Sequence, residues 1–297
     1  MIQQGYILDW SGFIFRAYHG LTELTDAQGR NINALYWFIR MIIRLMSERP
    51  DYFIICRDSP KPTLRKQDFQ AYKAHRPSLD DNFKWQISQI KNCITKLQIP
   101  SRELAWYEAD DLIASIVHHQ SASDIHMTIV SGDKDLKQLI SSRVTHYDHM
   151  KSLKTDPIRF FQEYGFQPQQ LLDYLAILGD SSDNIPGVIG IWDKGAQSLI
   201  QQYGDLDTIY AHLDHISLGL KNKLIEGKES AYQSKNLVRL YHTPSQEIPN
   251  LTDCPMQPNY DQMLQVLVWE YQMNSLIKAI HDLKKTFSTP KQPSLFD

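Results

Sequence analysis

Apolar positions along the chain fall into two periods. Tyr6–Leu8, Tyr52–Cys56 and Met127–Val130 are short continuous runs that end at Asp9, at Asp58 and at the turn Ser131-Gly132-Asp133. Runs of this length bounded by turn signals predict buried strands. Between the first two, Leu35, Phe38, Ile39, Ile42, Ile43 and Met46 recur at helical spacing and predict an amphipathic helix over 33–46. Ser11-Gly12 reads as a loop after the first strand, and Ser59-Pro60-Lys61-Pro62 breaks regular structure after the second. Strands alternating with helices, without hairpin turns between them, predict an α/β fold with a mostly parallel central sheet flanked by helices. In such sheets, sites form beyond the carboxyl ends of the strands. Asp9, Asp58 and Asp133 are all placed there.

From about residue 158 the pattern becomes helical, over 169–178, 194–202, 232–241 and 262–283. A chain of 297 residues can hold one large α/β core plus a smaller unit. The expected division is a first unit over 1–158, a helical unit over 159–285, and a flexible polar tail over 286–297. The connection at about 60–85 is long for a compact domain, and long connections tend to be functional or disordered. Trp37, Trp85, Trp106 and Trp269 lie in or beside amphipathic stretches and are expected in the core.

Charge changes the picture only locally. The formal net charge is −3, yet Arg57, Lys61, Arg65, Lys66, Lys73 and Arg76 gather in residues 57–76 against Asp58 and Asp68 alone. Cys56, Cys93 and Cys254 are far apart, odd in number and without a C-x-x-C pattern, which predicts reduced thiols in a cytoplasmic protein. The N-terminus lacks a signal-peptide pattern, and no apolar run is long enough to span a bilayer.

The candidate chemistry lies in nine carboxylates: Asp9, Asp58, Glu108, Asp110, Asp111, Asp133, Asp135, Asp180 and Asp183. Like charges gathered in one cleft cannot all stay ionised without cations among them. Hard oxygen donors in that number suit Mg²⁺ or Mn²⁺, and two ions better than one. Each motif alone has a plainer reading. Glu108–Asp111 can simply be acids favoured at a helix N-terminus; Gly132-Asp133-Lys134-Asp135 and Gly179–Asn184 can be polar turns. The three together are harder to explain as capping.

Phe15-Arg16-Ala17-Tyr18-His19, Tyr72-Lys73-Ala74-His75-Arg76-Pro77, Glu108–Asp111, Gly132–Asp135 and Gly179–Gly187 occur in an order that resembles the 5′-nuclease superfamily. That superfamily comprises flap endonucleases, phage 5′→3′ exonucleases and the N-terminal nuclease domain of bacterial DNA polymerase I. The chain looks similar to the last, as a free-standing protein, and the likeness covers most of residues 5–245. It implies a PIN-like nuclease domain, with a helical arch at about 60–85 and a helix–three-turn–helix at about 170–205 that grips duplex DNA. Asp9, Asp58, Glu108, Asp110 and Asp111 would mostly serve a first metal, and Asp133, Asp135, Asp180 and Asp183 a second. Lys73, Arg76 and Asp135 are the implied catalytic residues, and Arg16, Arg65 and Tyr72 would join Lys73 and Arg76 on the DNA, with Tyr72 offering a stacking face. Gly187, Gly190 and Lys194 would hold duplex phosphates in the hairpin, where the family often binds K⁺; Trp192 stands where the family usually has glycine. Gln292, Leu295 and Phe296 resemble a peptide that docks on the bacterial sliding clamp. The implied function is a Mg²⁺-dependent, structure-specific 5′→3′ exonuclease or flap endonuclease acting at 5′ flaps, 5′ ends, nicks or gaps in replication and repair. A monomer, cytoplasmic and nucleoid-associated, is expected. Two rivals stand beside it: a PIN-like endoribonuclease, and a non-catalytic DNA-junction-binding protein tethered to the clamp.

Overall fold

The computed structural model of the chain describes residues 2–75, 78–242 and 247–290. Its first strand, β1 (Gln3–Asp9), runs directly into a helix, α1 (Trp10–Gly20). The loop expected at Ser11-Gly12 is instead the first helical turn, because the Asp9 carboxylate accepts the Ser11 N–H at 3.1 Å and caps it. There follow α2 (Asn33–Ser47), β2 (Tyr52–Arg57), the short α3 (Leu64–Asp68), α4 (Asp81–Lys96) and β3 (Ser101–Glu103). Then come α5 (Ala109–His119), β4 (Ile125–Val130), a 3₁₀ turn at Asp135–Leu139, β5 (Val144–Asp148) and β6 (Leu153–Thr155).

The strand order is β3-β2-β1-β4-β5-β6, parallel throughout except for β6, which pairs antiparallel with β5. That terminal hairpin is the departure from the expected pattern; β6 is three residues long and carries no apolar run. Successive strand residues alternate between the two faces. Tyr6, Leu8, Phe53, Ile55 and Val130 pack with α2 and α4 on one side. Ile7, Ile54, Cys56, Met127 and Ile129 pack with α5 on the other. Both faces are thus covered, which is why the strand sequences read as unbroken apolar runs.

The helical unit consists of α6 (Pro157–Tyr164), α7 (Leu171–Leu178), α8 (Asp193–Tyr203), α9 (Leu206–Ala211), α10 (Leu218–Glu226) and α11 (Lys228–Val238) around their own core. The chain then returns to the first unit through α12 (Tyr260–Met263), a π-helical stretch at Leu264–Glu270, and α13 (Ile277–Ser288). Met263, Leu267, Leu276, Ile280 and Leu283 share a core with Phe38 and Ile42 of α2. Residues 251–285, expected in the helical unit, therefore complete the first one, since α2 alone leaves apolar surface on the sheet's outer layer.

The tryptophans depart from expectation. Trp269 is 79% exposed and Trp106 43%. Trp37 and Trp85 are half-buried under Arg40 and Arg30 respectively. All three cysteines are free and buried. Among the described residues no helix is long and apolar enough to cross a membrane.

Candidate metal centre and nucleic-acid interface

The parallel register brings the carboxyl ends of the inner strands to one edge, with Asp9 opposite Cys56 and Leu8 opposite Val130. Asp9 is buried and accepts Ser131 Oγ at 2.7 Å. Asp58 receives the Ala109 N–H at 2.9 Å and a hydrogen bond from the Ser11 hydroxyl. Ala109 opens α5, so Asp58 is tied to the helix end that carries Asp110. Asp133 closes a turn in which its carboxylate accepts the Asp135 N–H at 2.8 Å. Asp180 and Asp183 arrive from the helical unit on a loop whose ends meet at two glycines. Gly179 and Gly187 have φ of +75° and +62°, and a Cβ on Gly187 would lie 2.5 Å from the Gly179 nitrogen. Only glycine permits that closure.

Burial and mutual repulsion leave a clear electrostatic mark. Burial, then Asp58 and Asp133, pushes Asp9 up to about 7. Asp135 is pushed up to about 8 by burial and by Asp133. Asp110 and Asp133 are raised as well, burial again first, Asp110 then by Asp133 and Asp9. One Asp135 oxygen, Oδ1, is buried without a hydrogen-bond partner among the described residues. An orphaned hard donor amid carboxylates that resist ionisation fits a divalent cation. As they stand, no three Asp, Glu, His or Cys side chains among the described residues are drawn together closely enough to hold an ion.

Glu108, Asp111, Asp180 and Asp183 already have protein cations. Arg65 makes a two-pronged pair with Asp111, at 2.8 and 2.7 Å, and also reaches Glu108 at 3.2 Å. Its remaining donors go to the Leu237 and Arg239 carbonyls. Arg65 is 3% exposed. That corrects its expected contact with DNA phosphates, because no guanidinium face is left toward solvent. Asp111 further accepts the Tyr241 and Glu108 N–H groups, at 2.9 and 3.1 Å. Its carboxylate is thus turned from the expected metal role to joining the two units. Tyr72 is likewise buried, its hydroxyl donating to Glu108 at 3.1 Å, so it offers no stacking face.

Lys73 does face the acids. Its ammonium lies 3.1 Å from Glu108 and 3.8 Å from Asp183, and its N–H donates to the Asp183 carbonyl at 3.0 Å. The residue sits at φ +54°, an uncommon conformation for a side chain of this kind, which these contacts hold in place. Burial works against charge on Glu108, but Lys73 and Arg65 outweigh it and hold the carboxyl below its ordinary value. Asp180 is held low in the same way, against burial, by Lys134 at 2.8 Å and by Ser182. Arg16 lies half-buried beside Gly132 and 3.9 Å from Asp148, at the rim of the acidic edge. Of the arch expected over 60–85, the described residues show α3, a turn through 71–75 and the start of α4. Arg76 lies outside the described residues.

Residues 4–165 match the family model for the 5′-3′ exonuclease N-terminal, resolvase-like domain, and residues 166–262 match that for the 5′-3′ exonuclease C-terminal SAM fold. The chain belongs to the 5′-3′ exonuclease family. It is 34% identical over 292 residues to a 5′-3′ exonuclease of Aquifex aeolicus, covering 98% of this chain and 99% of that one. It is 35% identical over 298 residues to DNA polymerase I of Borreliella burgdorferi, covering 98% of this chain but 32% of the polymerase. The chain thus spans about a third of that relative's length. In fold it is similar to a bacteriophage T5 flap endonuclease solved with DNA and metal ions, at TM-score 0.67 and 20% identity, covering 97% of this chain and 100% of that one. The catalytic core of Rad2 with DNA substrate aligns at TM-score 0.62 and 14% identity, over 95% and 93% of the two chains. The PIN-like sheet and the SAM-like helical unit are therefore family architecture.

In this 5′-3′ exonuclease family member, the hairpin between α7 and α8 keeps Gly187 and Gly190 at positive φ, and Lys194 is exposed. Trp192 has φ −100° and ψ 173°, extended backbone open to any residue, so its side chain leaves the hairpin unstrained. The Gly190 carbonyl accepts the Lys223 ammonium at 2.8 Å. Several supporting residues escaped the sequence reading: Ser11, Ser131, Lys134, Asn184 and His146. Ser131, Lys134 and Asn184 carried a signal, each lying within one of the acidic motifs. Asn184 Nδ2 donates to the Ala71 carbonyl at 2.8 Å, and His146 Nε2 lies 3.0 Å from the Asp133 carbonyl. Nothing in the sequence around His146 distinguishes it.

Proposed function

We propose that this nuclease cuts DNA phosphodiesters at 5′ flaps, 5′ ends, nicks or gaps in replication and repair, using two divalent ions, Mg²⁺ or Mn²⁺. The observation that carries the reading is the partnerless, buried Asp135 oxygen among carboxylates whose protons burial and one another retain. Asp9, Asp58, Glu108 and Asp110 would hold one ion, and Asp133, Asp135, Asp180 and Asp183 the other. Bound there, the ions would polarise the phosphate and lower the pKa of an attacking water. Asp111 and Arg65 then serve as the buried brace that fixes Glu108 and Asp110 at the head of α5. Lys73, on the solvent side of Glu108, would offset charge on the scissile phosphate, as would Arg76. Arg16 would receive a neighbouring phosphate at the rim. The same fold holds DNA and metal ions in the T5 flap endonuclease, which supports this assignment.

The hairpin residues Gly187, Gly190 and Lys194 would grip the duplex through phosphates. A K⁺ ion there would share the Gly190 carbonyl with Lys223. We also propose the sliding clamp as a partner, through Gln292, Leu295 and Phe296, which lie outside the described residues. Deleting 291–297 should abolish capture of the clamp in a pull-down, and retained capture would end that proposal.

The deciding experiment incubates a 5′-labelled flap duplex with Mg²⁺ or EDTA, beside an Asp135→Ala variant. Cleavage near the junction is expected in Mg²⁺ only, reduced by about 100-fold or more in the variant. Tight binding without cleavage in either Mg²⁺ or Mn²⁺ would make the chain a junction-binding protein instead.

A further inference from the structure

The hairpin that follows Asp180 and Asp183 ends in an unusual surface. Ile189 is 86% exposed and Trp192 79%, among the most exposed large apolar side chains of the described residues. A single exposed apolar residue is ordinary; two large ones on one turn call for an occupant. Gly190, at φ +81°, makes the bend between them. Their neighbours Val188 and Ile191 point the other way and are buried in the helical core, so the turn is anchored from beneath.

The charges around the pair are basic. Lys194 and Lys223 are exposed, and Lys223 is fixed on the turn by its bond to the Gly190 carbonyl. The acid within the turn, Asp193, accepts the Tyr174 hydroxyl at 2.9 Å and is thereby drawn toward α7. An apolar tip flanked by lysines matches a groove whose walls present apolar sugar edges bordered by phosphates.

We propose that Trp192 and Ile189 form an apolar anchor that seats in the minor groove of the duplex portion of the DNA substrate, with Lys194 and Lys223 on the flanking phosphates. The proposal rests on the DNA-nuclease reading above and deepens it. The minor groove is about 6 Å wide, and proteins that use it commonly insert apolar side chains there. The anchor adds affinity without adding a phosphate contact. Lysine contacts release counterions and set the salt dependence of binding, whereas an apolar contact does not.

The test is fluorescence anisotropy of a labelled, flapless hairpin duplex, in EDTA and across about 50–200 mM salt. The proteins are wild type, Trp192→Ala, Ile189→Ala and Lys194→Ala, each checked for an unchanged melting temperature. Trp192→Ala should weaken binding about tenfold at every salt concentration, leaving the slope of log affinity against log salt unchanged. Ile189→Ala should act in the same direction. Lys194→Ala should instead flatten the slope by about 1. Equal affinity of wild type and Trp192→Ala would overturn the anchor, as would a flattened slope in Trp192→Ala. Sedimentation showing a wild-type dimer that Trp192→Ala abolishes would make a second copy the occupant, and would overturn it too. A wild type that cleaves flaps while Trp192→Ala binds equally sinks the anchor alone. A wild type that neither binds duplex nor cleaves flaps sinks the nuclease reading with it.

Discussion

Two halves of one acidic edge behave differently. Asp9, Asp110, Asp133 and Asp135 crowd together with raised proton affinities. Glu108, Asp111 and Asp180 are instead neutralised by Arg65, Lys73 and Lys134. The first set is a charge problem left unsolved by the protein, and so a place for external cations. The second is solved internally, and its members fasten parts of the chain together: Asp111 ties α5 to the end of α11, and Asp180 ties the helical unit to the Asp133 turn. Asp111 shows that a carboxylate at the right place in a motif is not by itself a ligand, because Arg65 takes both of its oxygens. Glu108 and Asp180, each paired with a lysine, keep the metal role proposed above.

The contrast can be broken most strongly at Arg65. Arg65→Ala would leave Asp111 and part of Glu108 as buried, unpaired charges, and should destabilise the protein by about 3–5 kcal/mol in urea unfolding. A loss under about 1 kcal/mol would show that solvent already reaches the pair.

The crowded half gives the opposite sign. Folded, Asp9 and Asp135 keep their protons to about pH 7 and about pH 8, whereas unfolded carboxyls lose them near pH 4. Between those limits the folded state binds more protons, so metal-free stability should fall as pH rises. Melting curves in EDTA from about pH 5 to 8 should show that fall. Asp135→Asn should lessen it, and Mg²⁺ should raise the melting temperature most at the alkaline end. A flat profile in EDTA would mean that these carboxyls are neither desolvated nor repelled by one another.

Lys134→Ala sharpens the comparison with the smallest effect. Lys134 is nearly half exposed, so losing its pair with Asp180 should cost less than about 1 kcal/mol of stability. Its consequence should appear in metal affinity, followed by titrating Mg²⁺ against the melting temperature.

Much of this edge was legible beforehand. The apolar runs located β1, β2 and β4, and the acids at their ends followed from parallel topology. The plainer readings of the motifs also hold: Asp111 accepts the Glu108 N–H at the head of α5, and Asp133 and Asp180 close polar turns through 2.8 Å bonds to the N–H groups of Asp135 and Ser182. For Asp133 and Asp180, turn closure and a candidate ligand role turn out to be compatible, since a carboxylate has two oxygens. The basic segment was harder. Arg65 and Tyr72 read as exposed DNA contacts because nothing local distinguishes a solvated basic loop from one folded against a second unit. The exposure of Trp106 and Trp269 was missed for the same reason, as was the return of α13 to α2.

Local sequence therefore settled which elements form and where the acids are delivered, because strand period, turn residues and chain direction are short-range properties. Only the tertiary structure decided which acids meet a lysine or arginine and which meet one another. Those encounters join residues far apart in sequence, such as Arg65 with Asp111 and Lys134 with Asp180. Ionisation in a buried site depends on what lies within a few ångströms, whatever its distance along the chain.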